Sequence, residues 1–174
     1  SMWSRDREAV VRLGSFSKSV APGLRVGFLT GGRQLVDQIG DCGLLDSGGG
    51  LTHFAALIVG ELIVSGRFDK LAIAGQHRYA QRCAALAAAL DPALFEFTTP
   101  AGGYFLWLAL PAGVSSEEAV AVARNAGVLV SDGRPFLVDP PTAGHIRLSF
   151  SMLDVDLLRD GASRLNRAIA SLLR

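Results

Sequence analysis

The sequence predicts a mixed α/β chain in two parts, on three observations. Residues 10–30 hold two short apolar runs separated by a small, polar loop containing Pro22-Gly23, which reads as two strands with a turn between them. Residues 51–90 are apolar at helical spacing, broken only at Ser65-Gly66. After Pro92 the texture changes to short strand-like runs alternating with two capped helical stretches. This order assigns residues 1–65 to the remainder of a larger α/β domain and residues 66–174 to a compact α+β domain.

Each element has a local reason. Val10 to Leu13 stops at Gly14, and Leu24 to Thr30 is closed by Gly31-Gly32; both read as strands. Arg33 to Asp41 places Leu35, Val36 and Ile39 at helical spacing. Gly48-Gly49-Gly50 breaks the chain, and Leu51 to Val64 is apolar enough to predict a buried helix. Phe68 to Leu90 reads as a long Ala- and Leu-rich helix that ends at Asp91-Pro92, because proline cannot continue it. Strands are expected at Phe95–Thr98, Gly103–Leu110, Val128–Val130 and Ile146–Phe150. Ser115 and Glu118 form an S-x-x-E capping box that starts a helix running through Asn125. Asp154 caps a last helix, whose apolar stripe is Leu158, Leu165, Ile169 and Leu172.

Composition excludes several classes. With 174 residues, 49% of them apolar, the chain can bury a sizeable core. A formal net charge of +1 gives no electrostatic basis for binding nucleic acid or an acidic membrane surface. Cys42 and Cys83 are unclustered, the usage of a reduced, cytoplasmic protein. His53, His77 and His145 are too scattered for a zinc site, and no metal is expected. The longest apolar stretch, Phe54 to Val64, is too short for a membrane span and contains Glu61. The N-terminus carries no apolar signal segment, and Ser1-Met2 reads as a cloning remnant.

The chemistry concentrates in Leu13-Gly-Ser-Phe-Ser-Lys-Ser-Val-Ala-Pro-Gly-Leu-Arg-Val-Gly27. A strand ends at a glycine. Two hydroxyls, Ser15 and Ser17, flank Lys18 in a loop of small residues, and Arg25 follows a Pro-Gly turn at the start of the next strand. Hydroxyls and a guanidinium suit a phosphate group. A lysine beside such a site is either one more phosphate cation or a nucleophilic amine that forms a Schiff base with a carbonyl.

The string resembles the lysine motif S-[FH]-S-K-x-x-x-P-G-L-R-x-G of the class I/II, fold-type-I aminotransferases, without a gap. It is most similar to the subgroup of 2-aminoadipate and kynurenine aminotransferases and the aminotransferase-like half of the MocR regulators. The resemblance implies that Lys18 holds pyridoxal 5'-phosphate as an internal aldimine, with Ser15, Ser17 and Arg25 on the phosphate. It continues through Asp46–Phe54, similar to a glycine-rich segment before the interdomain helix, and through Pro100-Ala-Gly-Gly-Tyr-Phe-Leu-Trp-Leu108. Gly144-His-Ile-Arg-Leu-Ser-Phe-Ser151 resembles the segment whose arginine binds the substrate α-carboxylate, a role that falls on Arg147. Taken as a strand residue alone, Arg147 could equally pair with an aspartate or cover apolar surface with its stem. Tyr104 and Phe105 read as core or wall residues rather than chemical groups. His145 reads as structural, and His53 is either structural or close to the site. The chain departs from the family at Ser131-Asp-Gly-Arg-Pro-Phe136, where Pro-Gly is usual before an x-x-Phe turn, and at Gln76-His77.

Under this resemblance, residues 1–65 are the remainder of the large cofactor-binding domain with the interdomain helix. Residues 66–174 are the small domain. The implied reaction moves an amino group between an amino acid and a 2-oxo acid, in a cytoplasmic homodimer. The family's aspartate for the pyridine nitrogen lies a few tens of residues before the lysine, whereas Lys18 stands near the start of this chain and Asp6 is too close to it. The isolated chain is therefore expected to be inactive. Two alternatives remain: the effector-binding half of a MocR-type regulator, and a non-catalytic truncated fragment.

Overall fold

Two strands of four residues, β1 (Arg12–Ser15) and β2 (Gly27–Thr30), pair antiparallel in the computed structural model, with Gly14 opposite Phe28. The structure describes residues 2–46, 52–138 and 143–174. The hairpin is followed by helices α1 (Arg33–Gly40), the short α2 (Gly43–Asp46), α3 (His53–Val64) and α4 (Arg67–Ala89). Strand β3 (Phe105–Ala109), helix α5 (Ser116–Asn125), strands β4 (Ser131–Asp132) and β5 (His145–Ser149) and helix α6 (Val155–Ala170) complete the chain. It divides into two compact units, Ser1–Gly75 and Gln76–Arg174, with the division inside α4.

In the second unit, β3, β5 and β4 form an antiparallel sheet in that order. Leu106, Leu108, Ile146 and Leu148 alternate onto one face and are buried against Leu86, Ala119, Ala123, Leu158, Leu165 and Ile169 of the helices. The period of two along each strand and the apolar stripe of α6 meet in this core. Both later helices are capped as their sequences require. Ser115 Oγ accepts from Glu118 N while the Glu118 carboxylate accepts from Ser115 N, and Asp154 Oδ1 accepts from Leu157 N. The serine hydroxyl and backbone N–H hold the Glu118 carboxyl below the usual carboxylate range. Asn166 joins α6 to the end of α4, donating to Ala89 O and accepting from Asp91 N.

Two expected strands take another form. Phe95–Thr98 contributes a single bridge, Glu96 to Ala109. Val128–Val130 is not a strand, because its chain is still closing α5. Val128 N donates to Ala123 O and Gly127 N to Arg124 O, with Gly127 at φ 77°. This pair of bonds is a Schellman ending, which takes the first amide of the expected strand, Val128 N. Pairing with β5 begins only at Ser131.

The first unit has little core. Its buried apolar side chains, among the described residues, are Val26 and Val59. Helix α3, expected to be buried, exposes Phe54 at 78% and Val64 at 85%, with Leu57 and Ile63 also exposed. A helix apolar on every side needs neighbours on every side. A two-stranded hairpin and two short helices do not supply them.

Two substitutions separate core from cap. Ile146→Ala empties a fully buried position and is expected to lower stability by roughly 2–5 kcal/mol. Ser115→Ala removes a cap and is expected to cost about 1 kcal/mol. Urea unfolding followed by circular dichroism measures both.

Candidate functional site

In the first unit, Ser15 ends β1 and the chain then makes one turn over residues 16–20, closed by Val20 N donating to Phe16 O at 2.9 Å. Lys18 stands in the middle of that turn, exposed. Ser17 N donates to Ser15 Oγ at 3.2 Å, which ties the two hydroxyl-bearing residues into a local turn. Phe16, between them, points the other way and packs on Phe28 and Phe68, with ring centroids 5.0 and 5.7 Å apart. Gly14 makes room for this: a Cβ there would collide with the Phe28 ring. The aromatic contacts thus hold the turn from behind while Ser15, Ser17 and Lys18 stay accessible.

Arg25 is not in the second strand, where the sequence places it. It terminates a 3-10 turn, Pro22–Leu24, in the left-handed conformation at φ 53°. It is the one non-glycine residue with positive φ among the described residues. That conformation costs an L-residue about 1–2 kcal/mol. It turns the guanidinium back across the loop, where Nη1 donates to Ser17 Oγ at 3.5 Å and to Pro22 O at 3.3 Å. Ser15, Ser17, Lys18 and Arg25 are therefore brought together on one loop.

Arg147 lies in the second unit, on the sheet face opposite the core. Its neighbours there are Trp107, directly across in β3, and Ser131 in β4. The guanidinium sits between two rings, Phe105 at 4.1 Å and Phe136 at 3.9 Å from Cζ. Its Nε is buried with no hydrogen-bond partner among the described residues. An unpaired buried donor costs free energy until an acceptor meets it. His145 stacks on Trp107 with centroids 5.3 Å apart, and its Nδ1 lies 2.9 Å from Ala143 O, a structural role. Tyr104 packs edge-on against Tyr79 at 4.9 Å, and burial pushes its phenol pKa up. Phe136 is the residue that sequence reasoning did not single out. Its signal is a Gly133-x-x-Phe turn placed just after the strand that pairs beside Arg147.

Other expected features are quickly placed. His53 is exposed on the first turn of α3. Residues 47–51 of the expected glycine-rich segment lie outside the described residues. Cys42 and Cys83 are both free, and burial pushes the Cys83 thiol up. No cluster of histidine, cysteine, aspartate or glutamate among the described residues could hold a metal ion. No described helix is long and apolar enough to cross a membrane.

The profile of aminotransferase class I and II matches residues 3–165. The chain belongs to the class I and II aminotransferases. The 2-aminoadipate transaminase of Thermus thermophilus is 32% identical over 99% of this aminotransferase chain and 45% of its own length. The solved α-aminoadipate aminotransferase from Thermus thermophilus, complexed with N-(5'-phosphopyridoxyl)-L-leucine, superposes with a TM-score of 0.78 at 30% identity, over 95% of this chain and 43% of that one. The HTH-type transcriptional regulator TauR of Rhodobacter capsulatus is 29% identical over 92% of this chain and 34% of its own length. This aminotransferase chain thus spans less than half the length of these relatives. It has the mixed α/β architecture of the C-terminal part of the fold-type-I transferases, a large-domain remainder followed by a small α+β domain. Pyridoxal 5'-phosphate is the cofactor of this family. The loop of this aminotransferase chain fits it on its donor set: two hydroxyls, an amine and a guanidinium already within reach of one hydroxyl.

Arg25→Gly tests whether the left-handed turn or the guanidinium matters. Glycine relieves the strained φ but loses more entropy on folding, so stability is expected to change by less than about 1 kcal/mol. A larger loss in urea unfolding would assign Arg25 a structural role instead.

Proposed function

We propose that this chain is the portion of a pyridoxal-phosphate-dependent aminotransferase that carries the cofactor lysine and the substrate-carboxylate arginine. The observation that carries the reading is the loop that presents Lys18, with the Arg25 guanidinium folded back onto Ser17 one residue away. Ser15, Ser17 and Arg25 hold the phosphate by charge-assisted hydrogen bonds. Lys18 holds the carbonyl end. When bound, the cofactor supplies an electron sink that makes the substrate Cα proton removable. The Lys18 amine would take that proton and return it, as general base and acid. Arg147 grips the α-carboxylate in the plane of its guanidinium, which is why arginine rather than lysine suits the position. The substrates are an amino acid and a 2-oxo acid, and the whole protein works as a cytoplasmic homodimer.

By itself the 174-residue chain is proposed to lack turnover. The aspartate nearest before Lys18, Asp6, is a turn cap whose Oδ1 accepts from Glu8 N and Ala9 N, and it is too close to Lys18 in the sequence to serve a pyridine nitrogen. The likeness to TauR favours a second reading, the effector-binding half of a MocR-type regulator. It shares the Lys18 site and differs in its output. A third reading, a non-catalytic fragment, differs in not retaining cofactor.

The test is an absorbance spectrum of the chain mixed with pyridoxal phosphate and dialysed, beside Lys18→Ala. A band of lysine-bound cofactor is expected to survive dialysis in the parent and to be absent from the variant. Loss from both would overturn cofactor binding by this chain. A transaminase assay on the full-length gene product separates enzyme from regulator.

A further inference from the structure

Between β4 and β5 the chain carries a charged turn that the proposed reaction leaves unused. Asp132 ends β4. Its Oδ1 accepts from Arg134 N at 2.9 Å, and its Oδ2 accepts from Arg134 Nε at 2.8 Å and from Nη2 at 2.5 Å. Arg134 Nη1 also reaches Glu117 Oε2, on the first turn of α5, at 3.5 Å. The side-chain hydrogen bond from Arg134 holds the Asp132 carboxyl below the usual carboxylate range. One carboxylate thus clamps both the backbone and the guanidinium of a residue two positions on. An exposed ion pair by itself contributes little. This one differs because three hydrogen bonds close a ring around the backbone and leave the turn few other conformations.

The turn so closed carries Phe136. Residues Arg134–Phe136 form a 3-10 turn in which Phe136 N donates to Gly133 O at 3.0 Å. Gly133 N donates to His145 O at 2.9 Å, and a Cβ on Gly133 would lie 2.5 Å from that same oxygen. The turn is therefore pressed onto β5, and Phe136 lands 3.9 Å from Arg147 Cζ, edge-on to Trp107 at 6.1 Å. The Phe105 ring also lies against the guanidinium, its centroid 4.1 Å from Cζ. Two rings this close leave less room around the guanidinium, and a carboxylate meets such a group through its planar fork of donors.

We infer that the Asp132–Arg134 pair is a positioning device. It holds Phe136 over Arg147 so that the guanidinium is presented edge-on to a planar carboxylate. This rests on the proposed carboxylate role of Arg147. Positioning of a binding group by a supporting shell of this kind is reflected in affinity, because the free site is already in its bound geometry.

The experiment uses the 174-residue chain labelled with nitrogen-15. The Nε–Hε resonance of Arg147, assigned by its disappearance in Arg147→Lys, is expected to be displaced by ring currents from the two phenylalanines. Phe136→Leu sets the value with one ring removed. Asp132→Ala and Arg134→Ala are expected to move the resonance at least halfway to that value, and Asp132→Asn, which keeps an acceptor for Arg134 N, to move it less. Arg134 has an exposed side chain, so its variant reports even if Asp132→Ala does not fold. A resonance unmoved in Arg134→Ala overturns the positioning role. The same samples are then titrated with 2-oxoglutarate. The parent is expected to respond at Arg147, and the apparent Kd to rise about tenfold in Arg134→Ala. A parent that does not respond overturns the carboxylate reading, while the ring-current comparison still decides the positioning. A parent that responds with a Kd unchanged in Arg134→Ala overturns the link between the pair and binding.

Discussion

Trp107 lies opposite Arg147 in the β3–β5 ladder, and much of the second unit follows from that register. The register is set on the other face, where Leu106, Leu108, Ile146 and Leu148 are buried together. Shifting β5 by one residue would turn Ile146 and Leu148 toward solvent and Arg147 into an apolar core, a cost no local contact could offset. The hydrophobic row therefore decides where the polar row goes. Arg147, His145, Phe105 and Trp107 share the outer face because their neighbours in sequence are needed inside.

That outer face is a small aromatic frame around one cation. Phe105 comes from the same strand as Trp107, and Phe136 from a turn that Asp132 and Arg134 close. His145 stacks on Trp107 and extends the frame along β5. The Nε of Arg147 is buried in it with no hydrogen-bond partner among the described residues. A site poised in this way has its geometry before any ligand arrives, which is how binding energy is kept for recognition.

The first unit is built on a different balance. Its functional loop is held by three aromatic rings and by the space that Gly14 leaves. Arg25 adopts a strained φ so that its guanidinium can return to Ser17. Meanwhile α3 exposes apolar side chains on several sides.

Local chemistry was legible in the sequence wherever a few adjacent residues settle the outcome. The capping box at Ser115 and Glu118, the cap at Asp154 and the proline stop after Leu90 all stand where the residues say, because the bonds involved span three or four positions. The loop of Ser15, Ser17 and Lys18 was legible for the same reason. Strand edges were not. Val128–Val130 has strand composition, yet its first amide, Val128 N, is spent on ending α5, and Glu96 meets Ala109 at a single bridge. Arg25 reads as a strand residue until the turn beside it is seen to need a left-handed end. By itself, then, the sequence determined which residue types could bind phosphate, form an imine or grip a carboxylate, since functional groups are properties of side chains. Only the tertiary structure decided that Phe105 and Phe136 close on Arg147 from elements far apart in the chain, because that contact depends on strand register and on a turn locked by Asp132 and Arg134.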